Sequence, residues 1–129
     1  IRLLVVGCGD VAMRAARLLA GRARLVGLVR GADDVPKLRA HGCTPIMGDL
    51  DDLRALARLR VAPWGVLHFA PPPGEGRSDP RTGHLVAALS AAGRIPRRFV
   101  YVSTSGVYGD CAGARVAETR PRRAQSPRA

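Results

Sequence analysis

The residues Gly7-Cys8-Gly9-Asp10-Val11-Ala12 have a spacing that works through the backbone rather than through side chains. They follow an apolar run, Leu3-Leu4-Val5-Val6, and open a segment of helical periodicity that stops at Gly21. Strand, glycine turn and helix, in that order, are the context in which G-x-G-x-x-(G/A) holds a dinucleotide. Gly7 permits the tight turn, Gly9 lets the main chain approach a pyrophosphate, and Ala12 is small enough for the helix to pack on the sheet. The unpaired N–H groups and partial positive charge of the helix start then face the phosphates. Taken alone, the pattern fits an ordinary strand-to-helix turn equally well. The remaining strand ends have to decide.

The second apolar run, Leu25 to Val29, ends at Arg30, where an acid would bond the 2′-hydroxyl of an NAD ribose. An arginine there suits a 2′-phosphate and favours NADP over NAD, although Arg30 is also one arginine among many. The third run, Thr44 to Met47, delivers Asp49-Leu50, a carboxylate that can accept from an adenine amine and a leucine that can pack on the ring. Asp49 can equally cap the next helix. The fourth run, Gly65 to Phe69, ends on His68-Phe69-Ala70. The fifth, Phe99 to Val102, runs into Ser103-Thr104-Ser105-Gly106-Val107-Tyr108-Gly109. A histidine at a strand end can act as acid or base near neutrality, or simply pack. Cys8 sits at a helix start, where a thiol's pKa can fall; the simpler reading is a variable position within the turn.

These strand ends need positioning elements, and the chain supplies them in alternation. Asp10 is read as the N-cap of the first helix, with Val11, Ala12, Ala15, Ala16, Leu18 and Leu19 as its apolar stripe. A short helix from Asp33-Asp34 to His41 has Pro36 in its first turn. A third helix carries Leu53, Leu56 and Ala57, extending towards Val61, and a fourth runs from Pro80 to Gly93. Ala70 to Gly76 is a loop, because three consecutive prolines forbid regular pairing. Trp64 and Phe99 read as packing residues. Five strands alternating with four helices predict an α/β fold: a Rossmann-type, doubly wound parallel sheet in the order 3-2-1-4-5, three layers deep. Ligands bind such sheets beyond the carboxyl ends of strands 1 and 4.

Composition sets the outer bounds. A chain of 129 residues with 47% apolar and 24% charged residues is one globular domain. The expected division is a dinucleotide-binding domain over 1–112 and a basic, Arg/Pro-rich, disordered tail over 113–129. No run approaches the length of a membrane span, and no signal peptide is read ahead of Ile1. The three cysteines, Cys8, Cys43 and Cys111, show no C-x-x-C spacing, so neither a disulfide framework nor a metal-ligand cluster is implied and a cytoplasmic setting is the default. The net charge of +11 raises nucleic acid as a partner. However, the basic residues are arginines scattered over every segment, Lys37 excepted, with no interleaved aromatics to stack bases. Specific nucleic-acid binding is therefore not expected.

Val102-Ser103-Thr104-Ser105-Gly106-Val107-Tyr108-Gly109-Asp110 resembles the strand-5 end of the extended short-chain dehydrogenase/reductase superfamily, the NAD-dependent epimerase/dehydratase family. The glycine turn at Gly7, Gly48-Asp49-Leu50, the strand-4 end and Glu118-Thr119-Arg120-Pro121 extend the resemblance over nearly the whole chain. It implies that Gly7, Cys8, Gly9, Asp10, Val11 and Ala12 form the pyrophosphate segment. Arg30 would lie near the adenosine ribose, Asp49 and Leu50 near adenine, and Phe69, Ala70 and Pro71 along the cofactor. Thr104, four residues before Tyr108, matches the hydroxyl that bonds the substrate's carbonyl or alcohol oxygen, with Ser105 as its neighbour. The family's Tyr-x-x-x-Lys acid/base pair is absent, and so are the later strands. The triple proline resembles an atypical branch of NAD(P)-dependent oxidoreductases.

The expectation is thus an NAD(P)-dependent oxidoreductase or epimerase/dehydratase-type enzyme acting on an alcohol, carbonyl or nucleotide sugar. NADP is preferred to NAD, a homodimer is a possible assembly, and the chain reads as the cofactor-binding portion of a longer protein. A non-catalytic NAD(P)-binding module or sensor is the alternative, and a basic nucleic-acid binder the third reading.

Overall fold

The computed structural model describes residues 1–76, 78–126 and 129. The notional tail therefore includes two positions, 127 and 128, that lie outside the described residues. Strands β1 (Arg2–Val6), β2 (Arg24–Val29), β3 (Cys43–Met47), β4 (Gly65–His68) and β5 (Arg98–Tyr101) are all parallel, in the order β3-β2-β1-β4-β5. The connections are helices α1 (Asp10–Leu19), α2 (Val35–Ala40), α3 (Leu53–Ala57) and α4 (Pro80–Ala91). Short 3-10 turns lie at Ala32–Asp34 and Ser105–Tyr108. The doubly wound Rossmann-type sheet and its predicted strand order are what the structure shows.

Alternation along the central strands divides the core into two layers, because successive strand side chains point to opposite faces. Leu3 and Val5 of β1 face α1 and α2, packing with Ala12, Met13, Ala16 and Leu38. Leu4 and Val6 face α3 and α4, packing with Leu56, Leu85 and Leu89. Parallel strands buried on both faces read as continuous apolar runs, and β1 and β2 do so. Val61, read as a helical continuation, lies beyond α3, and it is buried with Leu59 in the same layer.

Several local readings are corrected. The buried line of α1 is Ala12, Met13 and Ala16, whereas Val11 is 60% and Leu18 77% exposed. Val11 and Leu18 are seven residues apart and so share one line of the helix, and that line lies on its solvent side. Asp10 does not cap α1. Gly9 occupies the cap position, its carbonyl accepting from Met13 N–H, while Asp10 is the first helical residue and pairs with Arg14 on the surface. The cap of α3 is Asp52, not Asp49: its Oδ1 accepts from the N–H groups of Arg54 and Ala55. Trp64 is 39% exposed, whereas Phe99, 37% exposed, does pack, against the His68 ring.

The β5 edge accounts for Phe99. All four residues of β5 are exposed, because among the described residues no strand pairs beyond it. Over residues 113–126 there is no regular helix or strand, and Arg123 N–H donates to Val107 O.

Stability should therefore be concentrated away from β5. Leu85→Ala, at a fully buried position under α4, is expected to cost about 2–5 kcal/mol. Val100→Ala, on the half-exposed edge, should cost no more than about 0.5 kcal/mol. Urea unfolding followed by circular dichroism measures both, and equal losses would contradict this distribution.

Candidate functional site

The carboxyl ends of β1 to β4 converge on a cavity of about 380 Å³, a size suited to a small-molecule ligand. Its floor is the glycine turn, Gly7-Cys8-Gly9. One wall is Arg30 with Asp34 and Lys37 after β2; another is Gly48 to Asp51 after β3; a third is Ala70 and Pro71 after β4 with Arg81 of α4.

The two glycines of the floor are glycines for different reasons. Gly7 has φ +81°, and a Cβ there would run into the backbone of the β4–α4 loop, at 2.6 Å from Ala70 Cα and 2.7 Å from the Phe69 carbonyl carbon. That loop is held tightly: Phe69 N–H and Ala70 N–H both donate to Val6 O, at 2.7 and 3.1 Å. Gly7 is thus required by the protein itself. Gly9 has φ −78°, which any residue adopts, and a Cβ on it would meet nothing within 4 Å. The fold does not demand glycine at position 9; the emptiness of the space before it does, if that space is to hold a ligand.

Of the residues singled out from sequence, Gly7, Cys8, Gly9, Arg30, Asp49, Leu50, Ala70 and Pro71 line this one cavity. Asp10, Val11, Ala12, Phe69, Thr104 and Ser105 do not. Ala12 is buried beneath α1, and Phe69 packs against the same layer. Thr104 and Ser105 are exposed, and Thr104 Oγ1 accepts from Gly106 N–H at 3.2 Å, capping the 3-10 turn. The Cys8 thiol is no activated nucleophile. Burial, reinforced by Cys43 and Asp34, pushes its pKa up to about 11 against the opposing charge of Lys37, and Sγ points at Leu28 O, 3.5 Å away.

Three basic residues at or beside the cavity escaped the sequence reading. Lys37 lines the cavity beside Arg30. Arg81 donates from Nε and Nη2 to the two oxygens of Asp51, at 2.8 and 2.7 Å, and from Nη1 to Pro71 O at 3.3 Å. These bonds hold the Asp51 carboxyl below its ordinary pKa. His84 Nδ1 donates to Leu50 O at 2.8 Å. Arg81 and His84 are three apart on α4, hence on one helix face, and that face grips the turn after β3.

His68 takes the packing role. It is fully buried, stacked on Phe99 and tilted against Tyr101, with ring centroids 5.9 and 5.3 Å away. Thr82 Oγ1 donates to Asp79 Oδ2 at 2.5 Å, so His68 Nε2 must be the donor to Thr82 Oγ1 at 3.3 Å. Nδ1 is left without a partner among the described residues. Tyr101 donates to the same carboxylate at 3.1 Å. Burial raises the Asp79 pKa, but the hydrogen bonds from Thr82 and Tyr101 outweigh it and the net shift is down. Burial lowers the His68 pKa against the pull of Asp79, so the ring is neutral. The network ties β4, β5 and the start of α4 together beside the cavity.

Comparison with solved structures supports this frame. No family model matches the chain. A functionally unknown conserved protein from Silicibacter pomeroyi is 32% identical, with a TM-score of 0.73, over 98% of this chain and 44% of its own. A proposed epimerase from Burkholderia cenocepacia is 28% identical, with a TM-score of 0.75, over 98% and 45%. The dTDP-glucose 4,6-dehydratase DesIV from Streptomyces venezuelae, solved with NAD bound, is 25% identical, with a TM-score of 0.72, over 98% and 47%. The chain spans less than half the length of each. At the level of the family it resembles the NAD-dependent epimerases and dehydratases.

The His68 ring gives a pH signature. Its folded pKa lies below the unfolded value of about 6.5, so the folded state binds fewer protons and stability falls as pH drops through that value. The thermal midpoint is expected to decline between pH 7.5 and 5.5, and His68→Gln, which keeps a donor for Thr82, should flatten that decline. An unchanged slope in the variant would assign the effect to other groups.

Proposed function

We propose that this chain is the dinucleotide-holding part of an NAD(P)-dependent oxidoreductase or epimerase/dehydratase-type enzyme whose substrate is an alcohol, a carbonyl compound or a nucleotide sugar. The observation that carries the reading is Gly9: it lines the cavity at the start of a ten-residue helix, and an added Cβ would enter open space. A glycine that the fold does not require fits a backbone kept bare for a close-lying pyrophosphate. The NAD-bound dehydratase, similar over 98% of this chain, points the same way.

In this reading Gly7, Cys8 and Gly9 hold the pyrophosphate at the start of α1, Asp49 and Leu50 receive adenine, and Ala70 and Pro71 flank the cofactor. When bound, a nicotinamide cofactor supplies hydride transfer. Arg30 favours NADP, and Lys37 adds a second cation at the same wall, with the carboxylate of Asp34 between them in sequence. Neither cation has an ion-pair partner among the described residues, so both are available to a 2′-phosphate. Thr104 and Ser105 are the hydroxyls that would donate to a substrate oxygen as it gains charge.

A second reading, a dinucleotide-binding module without catalysis, is favoured by one observation. Neither the Thr104 nor the Ser105 hydroxyl lines the cavity, and Thr104 Oγ1 accepts from Gly106 N–H in a local turn.

Two expectations follow for nucleotide binding, followed by nicotinamide fluorescence. Gly9→Asp places a good helix cap where Gly9 now caps α1. It should leave the thermal midpoint intact or raised, yet abolish NADPH and NADH binding by charge and bulk; unchanged binding would remove the glycine turn from the site. Arg30→Asp should shift the NADPH-to-NADH affinity ratio towards NADH by about tenfold or more, and an unchanged ratio would remove Arg30 from the 2′-position.

A further inference from the structure

The Arg81–Asp51 pair does more than join two surface residues. Asp51 belongs to the turn after β3, Pro71 to the loop after β4, and Arg81 to α4; one guanidinium therefore bonds both walls of the cavity. The turn after β3 is held three further ways. Asp51 N–H donates to Asp49 Oδ1 at 2.9 Å, Asp52 caps α3, and His84 donates to Leu50 O.

We propose that Arg81 is a positioning residue for the ligand: with Asp51 it forms a clasp that fixes the adenosine end of the cavity at its working width before the dinucleotide arrives. The inference rests on the dinucleotide reading above. In a parallel αβα sheet the group following β2 meets the adenosine ribose, so the neighbouring turn after β3 bounds the adenosine half. A ligand touching both walls would otherwise have to order them as it binds, and that ordering weakens affinity. The fold itself has little need of the pair. Helices α3 and α4 are already joined through Leu56, Leu85 and Leu89 in the core. The two side chains retain 25% and 49% of their exposure, and pairs so exposed contribute little to stability. What the pair sets is spacing at the cavity lip.

A double-mutant cycle on the intact chain tests this, using Arg81→Gln, Asp51→Asn and both together, titrated with NADPH, NADH and ADP. Each single variant is expected to lose about fivefold in affinity, with ADP losing the same factor as the dinucleotides and the double variant losing no more than either single one. The thermal midpoints should all stay close to the wild-type value. Unchanged affinity in Arg81→Gln overturns the clasp while leaving the dinucleotide reading in place. Loss in Arg81→Gln but not in Asp51→Asn overturns it too, by making Arg81 a direct ligand. A loss seen with dinucleotides and not with ADP places the pair outside the adenosine half and also overturns it. Wild-type protein that binds none of the three probes removes the dinucleotide reading and the clasp together.

Discussion

The closure of the β4–α4 loop onto the end of β1 is the constraint on which the rest of the site depends. Val6 O accepts two N–H groups, from Phe69 and Ala70, and this draws the loop backbone so close that position 7 can carry no side chain. The positive φ of Gly7 then turns the chain sharply, and α1 starts three residues later, at Asp10, with Gly9 lining the cavity. Fixing this junction brings the ends of β2 and β3 into register, because β1 pairs directly with β2 and β2 with β3. The cavity is a by-product of where parallel strands stop.

Much of this was legible in the chain. Short, mostly apolar runs of four or five residues located all five strands, most plainly in β1 and β2, where buried parallel strands leave no alternation to misread. The strand ends followed, and eight of the residues chosen from them line one cavity. What was missed depends on contacts between helices. Arg81 meets Asp51 across 30 residues of chain, and nothing local in Asp-Pro-Arg-Thr announces that this arginine faces a cavity. A strand-end reading never inspects the start of α4. Local competition misled in a second way. Asp10, Asp49 and Asp52 are all credible caps by type, but only Asp52 has extended backbone immediately before a helical run with its oxygen toward the freed N–H groups. Asp10 is already inside the helix that Gly9 begins.

The exposed aromatics follow the same logic. Phe99 and Tyr101 look like core residues by type, and on one face they do pack against the buried ring of His68. Their remaining exposure reflects the position of β5 at the sheet edge, which a list of residue types cannot reveal. Edge strands keep a row of unpaired backbone groups, and here that row belongs to the strand feeding the Thr104 and Ser105 turn.

This sets two unequal halves beside each other. The residues proposed to hold the dinucleotide follow β1 to β4; the side chains of β1, β2 and β4 are almost wholly buried and their backbone is paired on both sides, while β3, which delivers Asp49 and Leu50, is the opposite edge of the sheet. Such a half is pre-organised, because moving any of its groups would break core packing. The hydroxyls proposed to meet substrate stand past β5, where all four strand residues are exposed and the 3-10 turn buries none of its own. Thr104 there accepts a local N–H with its oxygen, which keeps the turn closed and leaves its own O–H proton to donate. The proposed dinucleotide binding and the proposed substrate chemistry therefore draw on different parts of the chain: the first on the ends of buried strands, the second on an exposed turn past a sheet edge, touched by the 113–126 segment through Arg123 N–H to Val107 O.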